Sequence, residues 1–335
     1  MAVSIRDVAE RAGVSVGTVS NVLNRPERVS DAVVGRVMDA IRELGYVRND
    51  AARQLRAGRS SSVGLVVLDA RNPFFTDVAR GAEDAAAEQG VSVLLGDSDE
   101  KPEREAAYLD LFEEQRVRGV LVSPLGDIDE RLHRLRSLGT PVVLVDRDAA
   151  GGLLSSVSVD DVAGGRIAVG HLLEQGRRRI AFMGGPLRLR QIADRLAGAR
   201  EAVASVPDAR LEVLECEALT VLEGRRMGEQ LVARPASERP DAVFTANDLL
   251  AVGLLQALVM RGEVQVPGDI ALIGFDDIDF ASATIVPLSS IRQPSRLIGQ
   301  TALGLLLEEA DDPDLAPRQV VFQPELVVRE SSARA

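Results

Sequence analysis

Five short stretches place carboxylates, amides, arginines and phenylalanine rings where an apolar run ends. They are Asp69-Ala-Arg-Asn72-Pro-Phe74-Phe75, Asp146-Arg147, Gly184-Gly-Pro-Leu-Arg-Leu-Arg190, Asn247-Asp248 and Gly274-Phe-Asp276-Asp277. A lone Asp in such a loop is ordinarily a helix cap or turn residue. Five such loops converging on one place would offer paired hydrogen bonds and an aromatic surface, which is what holds a hydroxyl-rich small molecule. The chemistry is that of holding a ligand, because the groups for breaking bonds are missing. Lys101 is the only lysine and precedes Pro102, so no Gly-Lys-Ser/Thr phosphate loop can form. No Gly-x-Gly-x-x-Gly follows the first apolar run, and no Gly-x-Ser-x-Gly elbow is expected anywhere in the chain. His133 sits in a charged helical run and His171 beside Leu172-Leu173, positions that suit a solvated face and a packing role. Cys216 is the single cysteine, which excludes an intrachain disulfide and a cysteine-built zinc site. Neither an enzyme, a metal nor a cofactor is expected.

A second stretch carries chemistry of another kind. In Val14-Ser-Val-Gly-Thr-Val-Ser-Asn-Val-Leu-Asn24, Ser15 is placed to cap a short helix. Val19, Val22 and Leu23 then share an apolar face, and Gly17, Asn21 and Asn24 point the other way. A small polar outer face of this sort can lie in a DNA groove.

The elements that must position these residues follow from periodicity. Ser4-Ile-Arg-Asp7 resembles a capping box opening a helix over about residues 5 to 12. The turn Ala12-Gly13-Val14-Ser15 has the length and glycine of a helix-turn-helix. A third helix starts at Ser30 and stops at Gly45. Asn49 to Ala57 forms a further helical pattern, too short to be stable alone, where about 12 to 15 residues are marginal. Its one large apolar residue, Leu55, stands among Ala51, Ala52, Arg53 and Arg56, which fits a wedge that folds on DNA and opens a minor-groove step. The alternative is that Leu55 packs on the rest of the protein. From Val63, short β-rich runs alternate with amphipathic stretches. Strands are expected at 63–68, 91–95, 119–122, 142–145, 180–183, 211–214, 242–245 and 270–273. Helices are expected near 75–89, 103–115, 128–138, 161–175, 191–204, 220–233 and 247–261. Buried strands alternating with helices imply parallel βαβ units in open doubly wound sheets, two rather than one. The fold class is therefore a small all-α head and an α/β body of two doubly wound parallel-sheet subdomains.

The 335 residues, 46% of them hydrophobic, suffice for two or three compact units. The first residues lack the apolar core of a signal peptide and no run is long enough to span a bilayer, so a cytoplasmic location is expected. The net charge of −12 is unevenly spread: residues 1–59 hold ten Arg against seven Asp or Glu, so all of the acidic excess lies beyond them. A mildly basic head on an acidic body can still approach phosphates, since exposed charges beyond about 10 Å are largely screened.

Asp7-Val-Ala-Glu-Arg-Ala-Gly-Val-Ser-Val-Gly-Thr-Val-Ser-Asn-Val-Leu-Asn24, with Val29-Ser30, Leu44-Gly-Tyr46, Asn49 and Ala51-Ala-Arg53-x-Leu55, resembles the DNA-binding head and hinge of the LacI family of transcriptional regulators. Asn72-Pro-Phe-Phe75, Val145-Asp-Arg147, Arg195-Leu-Ala-Gly198, Asn247-Asp248, Ile273-Gly-Phe-Asp276 and Ile291-Arg-Gln-Pro294 resemble its effector-binding core, which is similar to periplasmic sugar-binding proteins. The resemblance implies a helix-turn-helix domain at 1–48, a hinge helix and linker at 49–62, and a core at 63–335. The core would comprise an N-subdomain of about 63–159 plus 291–322 and a C-subdomain of about 160–290 plus 323–330.

It further implies a homodimer on pseudo-palindromic operator DNA, repressing a carbohydrate-utilisation operon under control of a small-molecule effector, a sugar in the first instance. By position, Val16, Gly17 and Asn21 match base-reading residues. Thr18, Ser20 and Asn24 match phosphate or framework contacts. Asn49, Ala52 and Arg53 belong to the hinge, and Leu55 to its intercalating leucine. Arg195, Asn247 and Asp276 match residues that hold ligand hydroxyls, with Phe74, Asp146, Arg147, Asp160 and Gln191 completing the pocket. Leu189 and Leu219 stand where a purine-binding member has an Arg and an aromatic residue, which argues against a purine effector. The few residues after Val328 leave no room for a heptad zipper, so a dimer is expected rather than a tetramer. Three other readings stay open: a non-sugar effector, a solute-binding transport protein, and a sugar-modifying enzyme.

Overall fold

The computed structural model describes residues 3–46, 60–126, 130–149, 152–260, 262 and 264–333. The chain divides into two units, Met1–Arg59 and Ser60–Ala335. The hinge residues Asn49, Ala52, Arg53 and Leu55 lie outside the described residues.

In the first unit, α1 (Ile5–Ala12) opens with the capping box: Asp7 N–H donates to Ser4 Oγ at 3.4 Å and Ser4 N–H to Asp7 Oδ2 at 2.7 Å. Gly13 ends it in the left-handed region at φ 65°, where glycine carries no Cβ penalty. α2 (Val16–Asn24) follows at once, capped by Ser15. A 3-10 turn at Pro26–Arg28, which periodicity does not reveal, leads to α3 (Asp31–Leu44), closed by Gly45 at φ 63°. Val8, Ala9, Ala12, Val19, Val22, Val37 and Ala40 form the common core. The small alanines let three short helices approach closely.

The second unit holds two six-stranded sheets. The first contains β1 (Ser62–Val67), β2 (Ser92–Asp97), β3 (Val120–Val122), β4 (Val142–Val145), β5 (Ser155–Val159) and β11 (Gln319–Phe322), in the order β11-β5-β4-β3-β1-β2, all parallel. The second contains β6 (Arg179–Gly184), β7 (Arg210–Glu215), β8 (Ala242–Thr245), β9 (Ala271–Asp276), β10 (Ser289–Arg292) and β12 (Glu325–Val327), in the order β12-β10-β9-β8-β6-β7. Its edge strand β12 runs antiparallel to β10, so this sheet is mixed rather than wholly parallel. The helices are α4 (Pro73–Glu88), α5 (Pro102–Glu114), α6 (Glu130–Ser137), α7 (Asp161–Glu174), α8 (Arg190–Ala204), α9 (Val221–Ala233), α10 (Asp248–Met260), α11 (Asp279–Ala283) and α12 (Ser295–Asp311).

The chain passes between sheets at Asp160, at Gln293–Pro294 and between Phe322 and Glu325. Because β10 extends to Arg292 within the second sheet, the middle crossing lies two residues beyond the expected boundary at 291. β5, β10, β11, β12, α11 and α12 are absent from the strands and helices expected from periodicity. In β5 the reason is visible: Ser155-Ser-Val-Ser-Val159 is buried along its whole length although three of its residues are polar. Ser155 Oγ meets Glu309 and accepts the Arg318 N–H at 2.8 Å, which satisfies the hydroxyl in the core.

Candidate ligand cleft and nucleic-acid face

Asp146 directly follows the first sheet's β4, a non-glycine residue at φ 56°, so the chain turns off the strand there instead of continuing its pleat. The second sheet's β9 ends at Asp276, at φ 107°. Both face a narrow cleft lined by Leu68, Asp69, Asn72, Phe74, Phe75, Asp146, Leu189, Gln191, Ile192, Arg195, Leu219, Asn247 and Asp276. The lining comes from the carboxyl ends of strands in both sheets, where open α/β sheets place their ligands.

Arg195 is the cleft's buried cation. Its Nε donates to Asp161 Oδ1 at 2.7 Å, its Nη1 to the Ala246 carbonyl at 2.7 Å, and its guanidinium lies 3.6 Å from the Phe275 ring centroid. The local sequence explains the pair. A Cβ on Gly198 would fall 1.9 Å from the Val162 carbonyl oxygen, and one on Gly165 2.0 Å from that of Arg195. With glycine at both positions the backbones of α7 and α8 touch, which brings Arg195 to Asp161 and accounts for the spacing Arg195-Leu-Ala-Gly198.

Two hydrogen-bond systems tie the sheets together across the cleft. Asn72 Nδ2 donates to Asp276 Oδ2 at 3.0 Å, and Gln293 Nε2 to Asp276 Oδ1 at 2.8 Å. Gln191 Nε2 donates to the Asp146 carbonyl at 2.7 Å and to Asp146 Oδ2 at 3.0 Å. Asp146 Oδ1 is buried and has no partner among the described residues. An unsatisfied buried acceptor in a cleft is a place for a ligand donor.

Burial, then the charge of Asp161, pushes the Asp146 carboxyl well above the ordinary carboxylate range, against the pull of Arg195. Burial raises Asp161 to about 6 despite its ion pair, and raises Asp276 against Arg195 and the hydrogen bonds from Asn72 and Gln293. Buried Asp248 is raised well above its usual value, first by desolvation and then by Asp276. It donates no charge to the cleft lining; its oxygens accept from Ser290 Oγ at 2.7 Å and Ile278 N–H at 2.9 Å.

Of the ten ligand residues expected from the sequence, Phe74, Asp146, Leu189, Gln191, Arg195, Leu219, Asn247 and Asp276 meet in this cleft. Arg147 and Asp160 do not line it. Arg147 is buried, and Asp160 caps α7, its Oδ1 accepting the Ala163 N–H at 2.8 Å. The neighbouring Asp161, not singled out by sequence, is the carboxylate that meets Arg195. In a pair of aspartates at a helix start, one residue caps and the next begins the helix, and only the tertiary partner tells them apart. Asn247 spends its side chain within its own lobe, donating to the Leu219 carbonyl and accepting the Leu250 N–H. Leu68, Asp69, Asn72, Phe75 and Ile192 complete the lining; three of these belong to a loop whose polar character is visible in sequence.

On the head, Val16, Gly17, Asn21 and Asn24 are exposed on α2, and Thr18 and Ser20 are half-buried. Thr18 Oγ1 is 2.9 Å from Ser15 Oγ, and Asn24 Nδ2 donates to the Ser20 carbonyl at 2.8 Å. Both are thus tied into the helix framework, leaving Val16 and Asn21 as the outward side chains beside Gly17. Gly13-Val-Ser-Val-Gly17 does match the letters of a nucleophile elbow. Its serine caps α2 after a helix rather than a strand, and accepts the Thr18 N–H at 3.0 Å.

Residues 4–49 match the lacI family of bacterial regulatory proteins, and residues 169–332 the periplasmic binding protein-like domain. The chain is 33% identical over 339 residues to the ribose operon repressor of Escherichia coli K12, covering 98% of this chain and 99% of that one. It is similar to a solved complex of the transcriptional regulator CelR with cellobiose, at 32% identity and TM-score 0.72, covering 98% and 99% of the two chains. The lac repressor dimer bound to operator and the anti-inducer ONPF matches at 27% identity and TM-score 0.83 over the full length of both chains. No helix among the described residues is long and apolar enough to cross a membrane. The chain belongs to the lacI family of bacterial regulatory proteins.

Proposed function

We propose that this protein is a repressor whose operator affinity is set by an uncharged sugar or polyol in the cleft between the two sheets. The carrying observation is the charge of that cleft. Asp69, Asp146 and Asp276 line it, while its buried cation, Arg195, is already paired with Asp161. A phosphorylated ligand would find carboxyl groups around it and a guanidinium already engaged by Asp161. A neutral hydroxyl-bearing ring can donate to Asp146 Oδ1 and stack on Phe74. Leucines at 189 and 219 offer neither a guanidinium nor an aromatic ring for a purine.

The DNA-binding unit is a homodimer working in the cytoplasm, with α2 of each copy in the major groove of a half-site. For the dimer face we favour the apolar groove between α9, α10 and α11. Phe280 and Ile285 line it and are largely exposed. A solvent-facing apolar cluster of this kind is what a second copy covers. The ligand acts on DNA affinity by changing how the two copies present residues 49–57, a coupling of typically about 1–3 kcal/mol.

The test has two parts. A binding-site selection with the full chain yields an operator, and fluorescence anisotropy on that operator is repeated with neutral sugars, sugar phosphates and purines. A neutral sugar is expected to change the operator affinity about 5- to 150-fold. A response confined to sugar phosphates or purines would overturn the assignment of ligand class.

A further inference from the structure

Asp276 and Asp277 are consecutive non-glycine residues with positive φ, 107° and 56°. Such conformations cost of order 1–3 kcal/mol each and persist only where the surroundings hold them. The groups that hold this turn are identifiable. Asp277 N–H donates to Ser290 Oγ at 3.1 Å, and Ile278 N–H to Asp248 Oδ2 at 2.9 Å. The Asp277 carboxylate, almost wholly buried, accepts from Arg292 Nε at 2.8 Å and from Arg329 Nη1 at 2.6 Å. Arg292 is half-exposed, whereas Arg329 is largely buried and also donates to the Leu288 carbonyl at 2.7 Å.

Arg329 belongs to the C-terminal segment that follows β12, and the segment is pinned along its length. Arg329 N–H donates to Ser289 Oγ, Ser331 Oγ to the Leu272 carbonyl, and Ser332 Oγ to Ser289 Oγ. Ser331 and Ser332 are fully buried, and Ser332 Oγ also lies 3.0 Å from His171 Nε2. A surface tail has no need of two buried hydroxyls and a buried guanidinium, each of which must be desolvated and then satisfied. Ser331 and Ser332 fix the segment at the starts of β9 and β10, on Leu272 and Ser289, and from there Arg329 reaches Asp277 in the turn that follows β9.

We infer that Arg329 is a positioning residue of the ligand cleft: it clamps the strained Asp276–Asp277 turn and thereby fixes the Asp276 carboxylate opposite Asn72. This rests on the reading of the cleft as the ligand site. The C-terminal segment is then part of the sensing machinery, without touching the ligand.

The experiment needs no ligand, so it stands or falls separately from the sugar assignment. Amide hydrogen exchange over residues 275–279 of the full chain reads the clamp, and the Asn72 side-chain amide resonances read the position of Asp276. Arg329→Gln is expected to speed exchange in this turn about tenfold or more, as expected for a local opening, with α7 and β6 unchanged. It is also expected to shift the Asn72 amide signals. Arg329→Lys should restore most of both, since a lysine still brings a charge to Asp277. In an Asp277→Asn background, Arg329→Gln should add little to either effect. Unchanged exchange in the turn would overturn the clamp. Faster exchange with unmoved Asn72 signals would overturn the link to the cleft, and a uniform rise across the unit would reduce Arg329 to general fold support.

Discussion

Arg195 and Asp161 form a 2.7 Å ion pair in which both side chains are at least nine-tenths buried. The pair is held by helix contact at Gly165 and Gly198 rather than by exposure to water. Removing one partner of a buried pair leaves an uncompensated charge. Asp161→Ala is therefore expected to destabilise the second unit by about 3–5 kcal/mol, measured by urea unfolding. Asp161→Asn keeps a hydrogen-bond acceptor for Arg195 Nε and should cost less. A loss below about 1 kcal/mol in Asp161→Ala would mean that Asp146 and Asp276 neutralise Arg195 on their own.

Proton linkage gives a second prediction. Asp146 and Asp276 are both raised, chiefly by burial, and both line the cleft. A ligand hydroxyl that donates to a carboxylate favours its ionised form, so sugar binding must compete with protonation. Affinity is expected to weaken as the pH falls from 8 to 5, by up to about tenfold per pH unit for one proton. Asp146→Asn should flatten that dependence. Calorimetric titrations across this range decide it, and affinity that tightens in acid would contradict the role given to Asp146. The stability of the ligand-free protein has the opposite sign. For Asp161, raised from 3.8 to about 6, the contribution is fully present below 3.8 and is lost as the pH rises through about 6.

What sequence made legible was whatever repeats or ends an element. The apolar runs that become β1, β4, β6 and β8 are buried on both faces, and the polar loops after them are the cleft. The serine-rich strands β5 and β10 were hidden because their polarity is satisfied by distant partners, Glu309 for Ser155 and Arg329 for Ser289. Such pairings, more than a hundred residues apart in the first case, leave no periodic trace. The choice of Asp161 over Asp160 has the same origin. Whether an aspartate caps its helix or faces an arginine is decided by the packing of another helix.

The proposed dimer face gives a third prediction. Ile285 is 82% exposed and Phe280 59%, and both line the α9–α11 groove. A carboxylate placed within a covered apolar interface must be desolvated without a partner. Ile285→Asp is therefore expected to yield monomers by sedimentation at micromolar concentration. Folding should be unaffected, because the side chain is exposed in the single chain. Sugar affinity should persist, while operator affinity falls with the loss of the second half-site. An unaltered dimer would place the interface elsewhere.

Gly17 gives the last prediction, and it separates fold from recognition. A Cβ at Gly17 would meet only Ser15 Oγ, at 3.6 Å, an ordinary contact, so helix α2 does not require glycine there. Gly17→Ala should in fact stabilise the head by about 0.5–1 kcal/mol, since glycine is the poorer helix residue. With α2 docked in the major groove as proposed, the reason for its presence is that it offers no side chain to a base edge. On that proposal direct readout is expected from Val16, whose methyls suit a thymine methyl, and from Asn21, which can pair with adenine N6 and N7. Binding-site selection with the unmodified protein is expected to show little preference at the base pair facing Gly17. Sharp preferences are expected where Val16 and Asn21 reach, worth about 1–3 kcal/mol of discrimination where Asn21 pairs bidentately with adenine. Replacing Gly17 by a longer polar residue should create a preference at that pair without weakening the fold. A strict preference already present opposite Gly17 would show that sequence is read there through DNA shape or a different part of the head.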